Sequence, residues 1–271
     1  MKNNNGTYVN LLDYSHKKLE NVGSEDSFGR TIWALGHLIA HAPNQMYREY
    51  AIELFSSSIS IFSQLRSLRG IANSMIGISW YLRMNPHHQE VKDILLQLAV
   101  QLNSAYIFEK AGSWYWYENL LSYDNGILPL AMLHAGETLK KQLFIDTGLE
   151  SLHFLHSITM ETGKLSLIGN EVWLKKGGEK SQFSQQAIDT MAMVLAYQKA
   201  YQITGSSDTL ENMEICYTWF LGNNDVYIPI YDEHTKGCGD GLHQYGVNRN
   251  QGAESLLSWL ISYLTYHQTI S

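Results

Sequence analysis

Four short stretches of the chain gather carboxylates, amides and aromatic rings closely enough to do chemistry. In the first, GSEDSFGR, Glu25 and Asp26 stand side by side ahead of an apolar helical pattern, with Arg30 one turn further on. Carboxylates at a helix start gain about 0.3–1 kcal/mol from the helix dipole, so capping alone would account for them. At the mouth of a pocket the same pair has chemistry: one carboxylate serves as acid or base, and Arg30 holds the other or a ligand hydroxyl. The second stretch runs from Trp114-Tyr115-Trp116-Tyr117 into Glu118 and Asn119, with Asp124-Asn125-Gly126 close behind. Flat rings beside a carboxylate suit a pyranose, with Trp114 and Trp116 as stacking faces and Glu118, Asn119 and Asp124 addressing its oxygens. The plainer alternatives are an aromatic cluster covering the core and a turn at Asp124.

The third stretch is SQQAIDTMAMVLAY, where Asp189 lies in an almost wholly apolar helical run, one turn after Gln185 and Gln186. A buried acid is expensive unless it is hydrogen-bonded, so Asp189 either completes a core network or points into a cavity. The fourth, DGLHQYGVNRNQGAES, packs Asp240, His243, Asn248, Arg249, Asn250, Gln251 and Glu254 into one Gly-rich loop and the helix after it. Asn250 fits an N-cap, and Glu254 lies one residue too far on for a capping box. The residue types point to Asp26, Glu118 and Asp240 as catalytic candidates. The binding candidates are Glu25, Arg30, Trp114, Trp116, Asn119, Asp124, Gln186, Asp189, His243, Asn248, Asn250, Gln251 and Glu254. A pair of carboxyl groups roughly 6.5–9.5 Å apart would argue for inverting glycoside hydrolysis, and one roughly 5–5.5 Å apart for retention.

Other chemistries find little support. Cys216, Cys238 and His243 lack the paired spacing of a structural zinc site, and His37 and His41 share a helix face without a third ligand. No metal and no cofactor is expected. No GxSxG, phosphate-binding glycine loop or HExxH motif stands in the setting it needs. Nineteen basic against 26 acidic residues give a net charge of −7, which excludes a nucleic-acid partner. The apolar runs are too short to span a bilayer, and no apolar segment follows the early lysine as in a secretory signal. These two observations exclude a membrane reading and leave the cytoplasm as the expected location.

The elements that must position these residues are helices. Apolar residues at Phe28, Ile32, Leu35 and Ile39 share one helix face, and Pro43 closes that pattern. Further helical patterns fall at about 47–65, 67–83, 89–108, 127–138, 143–158, 186–203, 208–221 and 251–268, nine helices with the first. Short connections make successive helices antiparallel, and the all-round apolar run at 186–203 belongs to an inner layer wrapped by more amphipathic helices. Residues 109–126, 161–185 and 222–250 break the pattern, the second with an expected small hairpin at Gly169-Asn170. Residues 1–22 read as an N-terminal tail and 23–271 as a single all-α domain.

The segments GSEDSFGRTIWALG, ENLLSYDNGILPLAMLHAG, FSQQAIDTMAMVLAY and DGLHQYGVNRNQGAESLLSWL, in that order, resemble the six-hairpin glycosidase superfamily. More narrowly they are similar to a bacterial group described as glycosidases or found attached to glycosyltransferases. The resemblance implies an (α/α) toroid of helical hairpins, a pocket at one end of the inner helices, and an oligosaccharide or other glycan as ligand. It also implies a carboxylate acid–base pair, with a glycosyltransferase or another carbohydrate enzyme as a partner. Nine helices leave six hairpins short at the N-terminus. The toroid is then incomplete, or residues 1–22 fill the gap, or the sequence is a piece of a larger protein. Two functions follow: a glycoside hydrolase, or a non-catalytic glycan-binding module of a carbohydrate-processing system. A sugar isomerase would need a histidine pair, and only His243 stands in a suggestive loop.

Overall fold

The computed structural model describes residues 1–271. Its helices are α1 (Glu25–His41), α2 (Gln45–Ser56), α3 (Leu68–Met84), α4 (Gln89–Glu109), α5 (Ile127–Leu139), α6 (Gln142–Thr159), α7 (Ala187–Thr204), α8 (Ser207–Thr218) and α9 (Ala253–Ile270). Four very short strands, β1 (Leu120–Leu121), β2 (Leu174–Lys175), β3 (Gly241–His243) and β4 (Gly246–Asn248), form two antiparallel pairs, β1 with β2 and β3 with β4. No helix is long and apolar enough to cross a membrane. The chain forms two compact units, residues 1–105 with 131–148, and residues 106–130 with 149–271.

In the first unit α1 packs along α3, and α2 folds back on α1. Glycines set the closeness of the α1–α3 contact. A Cβ on Gly36 would stand 2.0 Å from the Gly77 carbonyl oxygen, and one on Gly29 would stand 2.6 Å from that of Gly70. Each pair repeats at seven residues, two helical turns, so the bare faces align along one seam. Phe28, Ile32, Leu35 and Ile39 are buried on α1, as their period predicts. The pattern expected over 47–65 divides: α2 stops at Ser56 and a 3₁₀ turn, Ile59–Gln64, follows. Residues 1–22 are folded, with backbone bridges Lys2–Tyr8 and Leu12–Lys18 and with Tyr8 and Val9 buried.

In the second unit α7 packs along α9 and α8 folds back on α7. Helices two apart in sequence are therefore neighbours in both units, the arrangement expected of an inner layer whose hairpin partners lie outside. Helix α7 is buried almost all round, as its composition requires. The hairpin expected at Gly169-Asn170 does not form there. Those residues sit at the base of the excursion, where Gly169 N–H bonds the Ser181 carbonyl and Asn170 N–H that of Ser184. The chain turns instead at Gly177, whose φ of 76° suits glycine.

Candidate functional site

In the first unit the candidates lie at the N-terminal ends of α1 and α3. Ser24 caps α1 by accepting from Ser27 N–H at 3.1 Å, which fixes the two residues that follow. Glu25 and Asp26 then diverge. Glu25 Oε2 accepts from the backbone N–H of Arg66 (2.7 Å) and of Ser67 (2.6 Å), tying the start of α1 to the start of α3. Asp26 Oδ2 accepts from Arg30 Nε at 3.0 Å and Oδ1 from Asn73 Nδ2 at 3.2 Å, and its side chain stays 23% exposed. Asn73 was not singled out in the sequence, although one amide in the apolar run of α3 was a signal that it answered something. Arg69, buried in the first turn of α3 beside this group, was missed in the same way.

In the second unit the aromatic stretch does not present its rings. Trp116 is 0% and Trp114 7% exposed, and both pack against Phe154, with centroids 6.1 and 5.1 Å away. The stacking role expected of these two tryptophans is corrected: their area is spent on the core, and Trp114 Nε1 donates to the Glu118 carbonyl at 2.8 Å. The Glu118 side chain is half-buried, and Asn119 is exposed, its carbonyl accepting from Lys176 N–H. Asp124 is a buried turn residue with φ 49°, a conformation aspartate tolerates. It delivers Asn125, whose N–H reaches Asp189 Oδ1 at 3.4 Å and whose side chain closes the turn on Ser122.

Asp189 is buried and, with Asn125 and Thr159, gives polar lining to a cavity otherwise walled by Leu155, Leu167, Ile168 and Met193. The cavity measures about 10 Å³, the size of a single water and far below a pyranose. Gln186 stands half-buried at the N-cap position of α7. Its neighbour Gln185 turns to Trp219 Nε1 (3.0 Å) and Asp225 Oδ2 (2.6 Å). Asp225 is a further acid with a buried side chain, not singled out in the sequence, and its other oxygen meets Lys164 Nζ at 3.3 Å.

The loop before α9 is built around Asp240. Its Oδ1 accepts from Gly252 N–H (2.6 Å) and Ser255 Oγ (2.8 Å), and its Oδ2 from Asn250 Nδ2. Burial pushes this carboxyl upward, but the hydrogen bonds from Gly252, Asn250 and Ser255 outweigh it and hold the pKa below the usual carboxylate value. Asn250 is therefore not the N-cap. Gly252 occupies that position, and Asp240 reaches in from twelve residues upstream to satisfy the helix start. Asn248 Oδ1 accepts from Asn250 N–H, and Gln251 Nε2 donates to Thr235 Oγ1. His243 meets Ser184 Oγ at 3.3 Å on the exposed β3–β4 hairpin, and Arg249 and Glu254 are exposed. Cys216 and Cys238 are buried free thiols, and burial pushes Cys238 up to about 12. The side chains form no group of three or more His, Cys, Asp or Glu that could hold a metal ion.

No family model and no curated protein matches the chain. Solved structures do. A sugar epimerase from a ruminal bacterium superposes with a TM-score of 0.67 at 14% identity, over 94% of this chain and 78% of that one. The cellobiose 2-epimerase of Spirochaeta thermophila gives 0.68 at 8% identity, over 98% and 76%. A GH76 alpha-mannanase of Bacteroides thetaiotaomicron gives 0.66 at 10%, over 89% and 69%. The fold is an all-α (α/α) toroid, as in these structures. What the chain shares with them at these identities is its backbone path, and the side chains described above are its own.

Proposed function

We propose that this (α/α) toroid is a carbohydrate-active protein, a glycoside hydrolase acting on an oligosaccharide. The observation that carries the reading is Asp26. It is an accessible carboxylate at a helix N-terminus, oriented by a guanidinium from its own helix and an amide from α3. Each oxygen retains acceptor capacity, so Asp26 can take a proton from an attacking water or hold a sugar hydroxyl, with Arg30 fixing its rotamer. The neighbouring structures, two sugar epimerases and a mannanase, support a saccharide as ligand. Asp240 is better read as the cap of α9, because every donor around it is already engaged and its pKa is held down.

A second reading, a glycan-binding module that presents its saccharide to a glycosyltransferase or another carbohydrate enzyme, is favoured by one observation. Of the three carboxylates proposed for catalysis, Asp240 serves the helix instead. Product analysis with a panel of plant and bacterial oligosaccharides separates the two. Release of a shorter sugar by the wild type, lost in Asp26→Asn but kept in Asp240→Asn, supports hydrolysis. Glycans that raise the melting temperature without product in any variant support the module, and neither product nor a thermal shift overturns both readings.

A further inference from the structure

Helix α9 wears its amphipathicity inside out. Its buried stripe against α7 is Ser255, Ser258 and Ser262 with Trp259, while Leu257, Leu260 and Leu264 are 56%, 42% and 52% exposed, with half-buried Ile261 between them. The spacing i, i+3, i+4, i+7 places those four on one continuous face, the pattern a helix normally turns toward a partner. Small side chains on the buried stripe let α9 lie close to α7, and the large apolar side chains stand on the opposite face.

We infer that this face is a dimerisation surface whose occupant is α9 of a second copy, packed antiparallel. Two features of the sequence argue for a copy rather than for an unrelated helix. An isologous contact must be self-complementary about its midpoint, and the stripe is: reversing the helix about Leu260-Ile261 superposes Leu257 on Leu264 and Leu260 on Ile261. Charge permits the same arrangement. Helix α9 contains no Lys or Arg, and Glu254 is its single acidic residue. The antiparallel pairing sets the two Glu254 side chains about 20 Å apart, beyond the screening length of physiological salt. Each then lies beside the last turn of the other copy, which carries His267. A parallel pairing would set the two carboxylates together.

The contact is one helix face wide, below the roughly 800 Å² per partner of a standard interface, so the equilibrium is weak and concentration-dependent. Sedimentation equilibrium on the full chain tests it. The expected result is a monomer–dimer equilibrium, weakened at least about tenfold by Leu260→Lys and by Leu264→Lys, with circular dichroism showing the variants folded. A second measurement does not rely on those variants. With Cys216 and Cys238 buried, Leu260→Cys supplies the one exposed thiol, and mild oxidation should give a covalent dimer that Gln244→Cys, exposed on the β3–β4 hairpin and off the α9 face, does not. A wild type monomeric at every concentration, or a dimer that survives both lysine substitutions, overturns the inference. So does cross-linking at position 260 no greater than at position 244.

Discussion

Asp240 and Asp26 are the same side chain given different work by their donors. Three donors converge on Asp240 at the start of a helix, and its loss should act as the loss of a cap does. Asp240→Ala is expected to cost about 1 kcal/mol, roughly 2–4 °C in melting temperature for a chain of this size. The folded pKa is depressed, so this stabilisation is complete above the ordinary carboxylate pKa and is lost as pH falls through the folded value. Melting curves should therefore separate wild type from variant near neutrality and converge in strong acid. His37 carries the opposite dependence. Partial desolvation of this otherwise exposed ring against Trp80, and then the neighbouring His41, push its pKa down, so the fold prefers the neutral ring and a small, solvent-screened part of the stability is lost as pH drops below about 6.5. Between slightly alkaline and mildly acid buffer, His37→Gln should lose less melting temperature than wild type, and equal losses would contradict this assignment. Sequence alone located Asp240 and Asp26 but could not separate their roles. The Gly252, Ser255 and Asn73 donors are chosen by tertiary contact, which residue types and local spacing do not encode.

At the scale of elements, the α1–α3 seam makes the sharpest claim. Gly29 and Gly36 on one helix meet Gly70 and Gly77 on the other so closely that any Cβ there would have to displace backbone rather than a flexible side chain. Elsewhere in a helix, Gly→Ala is often favourable because alanine is the better helix former. Here the sign should reverse. Gly36→Ala is expected to destabilise by about 1–3 kcal/mol, as overpacking does, read as a lower denaturation midpoint with an unchanged slope. A neutral or stabilising result would mean that the helices can separate without loss. The helices themselves were legible, since burial imposes the 3.6-residue period that the apolar residues of α1 and α7 display. The seven-residue glycine spacing was also present in the letters, but it acquires meaning only when two helices are known to touch. Loop geometry was the least legible, because the turn at Gly177 and the cap at Gly252 follow from the β1–β2 pairing and from Asp240. Each is a contact made far along the chain.

For the molecule as a whole, the (α/α) toroid was legible through the resemblance of four segments to a known superfamily, while the outward apolar face of α9 was not, because periodicity reports that a helix has two faces and not which one turns inward. That face joins the whole-chain charge to the association equilibrium. Each copy carries a net charge of −7, so two copies repel as they approach, and the pairing inferred for α9 is built from leucine and isoleucine with one carboxylate per helix. Added salt screens the repulsion between copies and leaves the apolar contact intact. The dimer should therefore tighten as ionic strength rises from a few tens of millimolar to physiological levels, where the Debye length falls to about 8 Å. An interface held by ion pairs would loosen over the same range. Sedimentation equilibrium at low and moderate salt distinguishes the two, and weakening with salt would move the contact away from α9 to a charged surface.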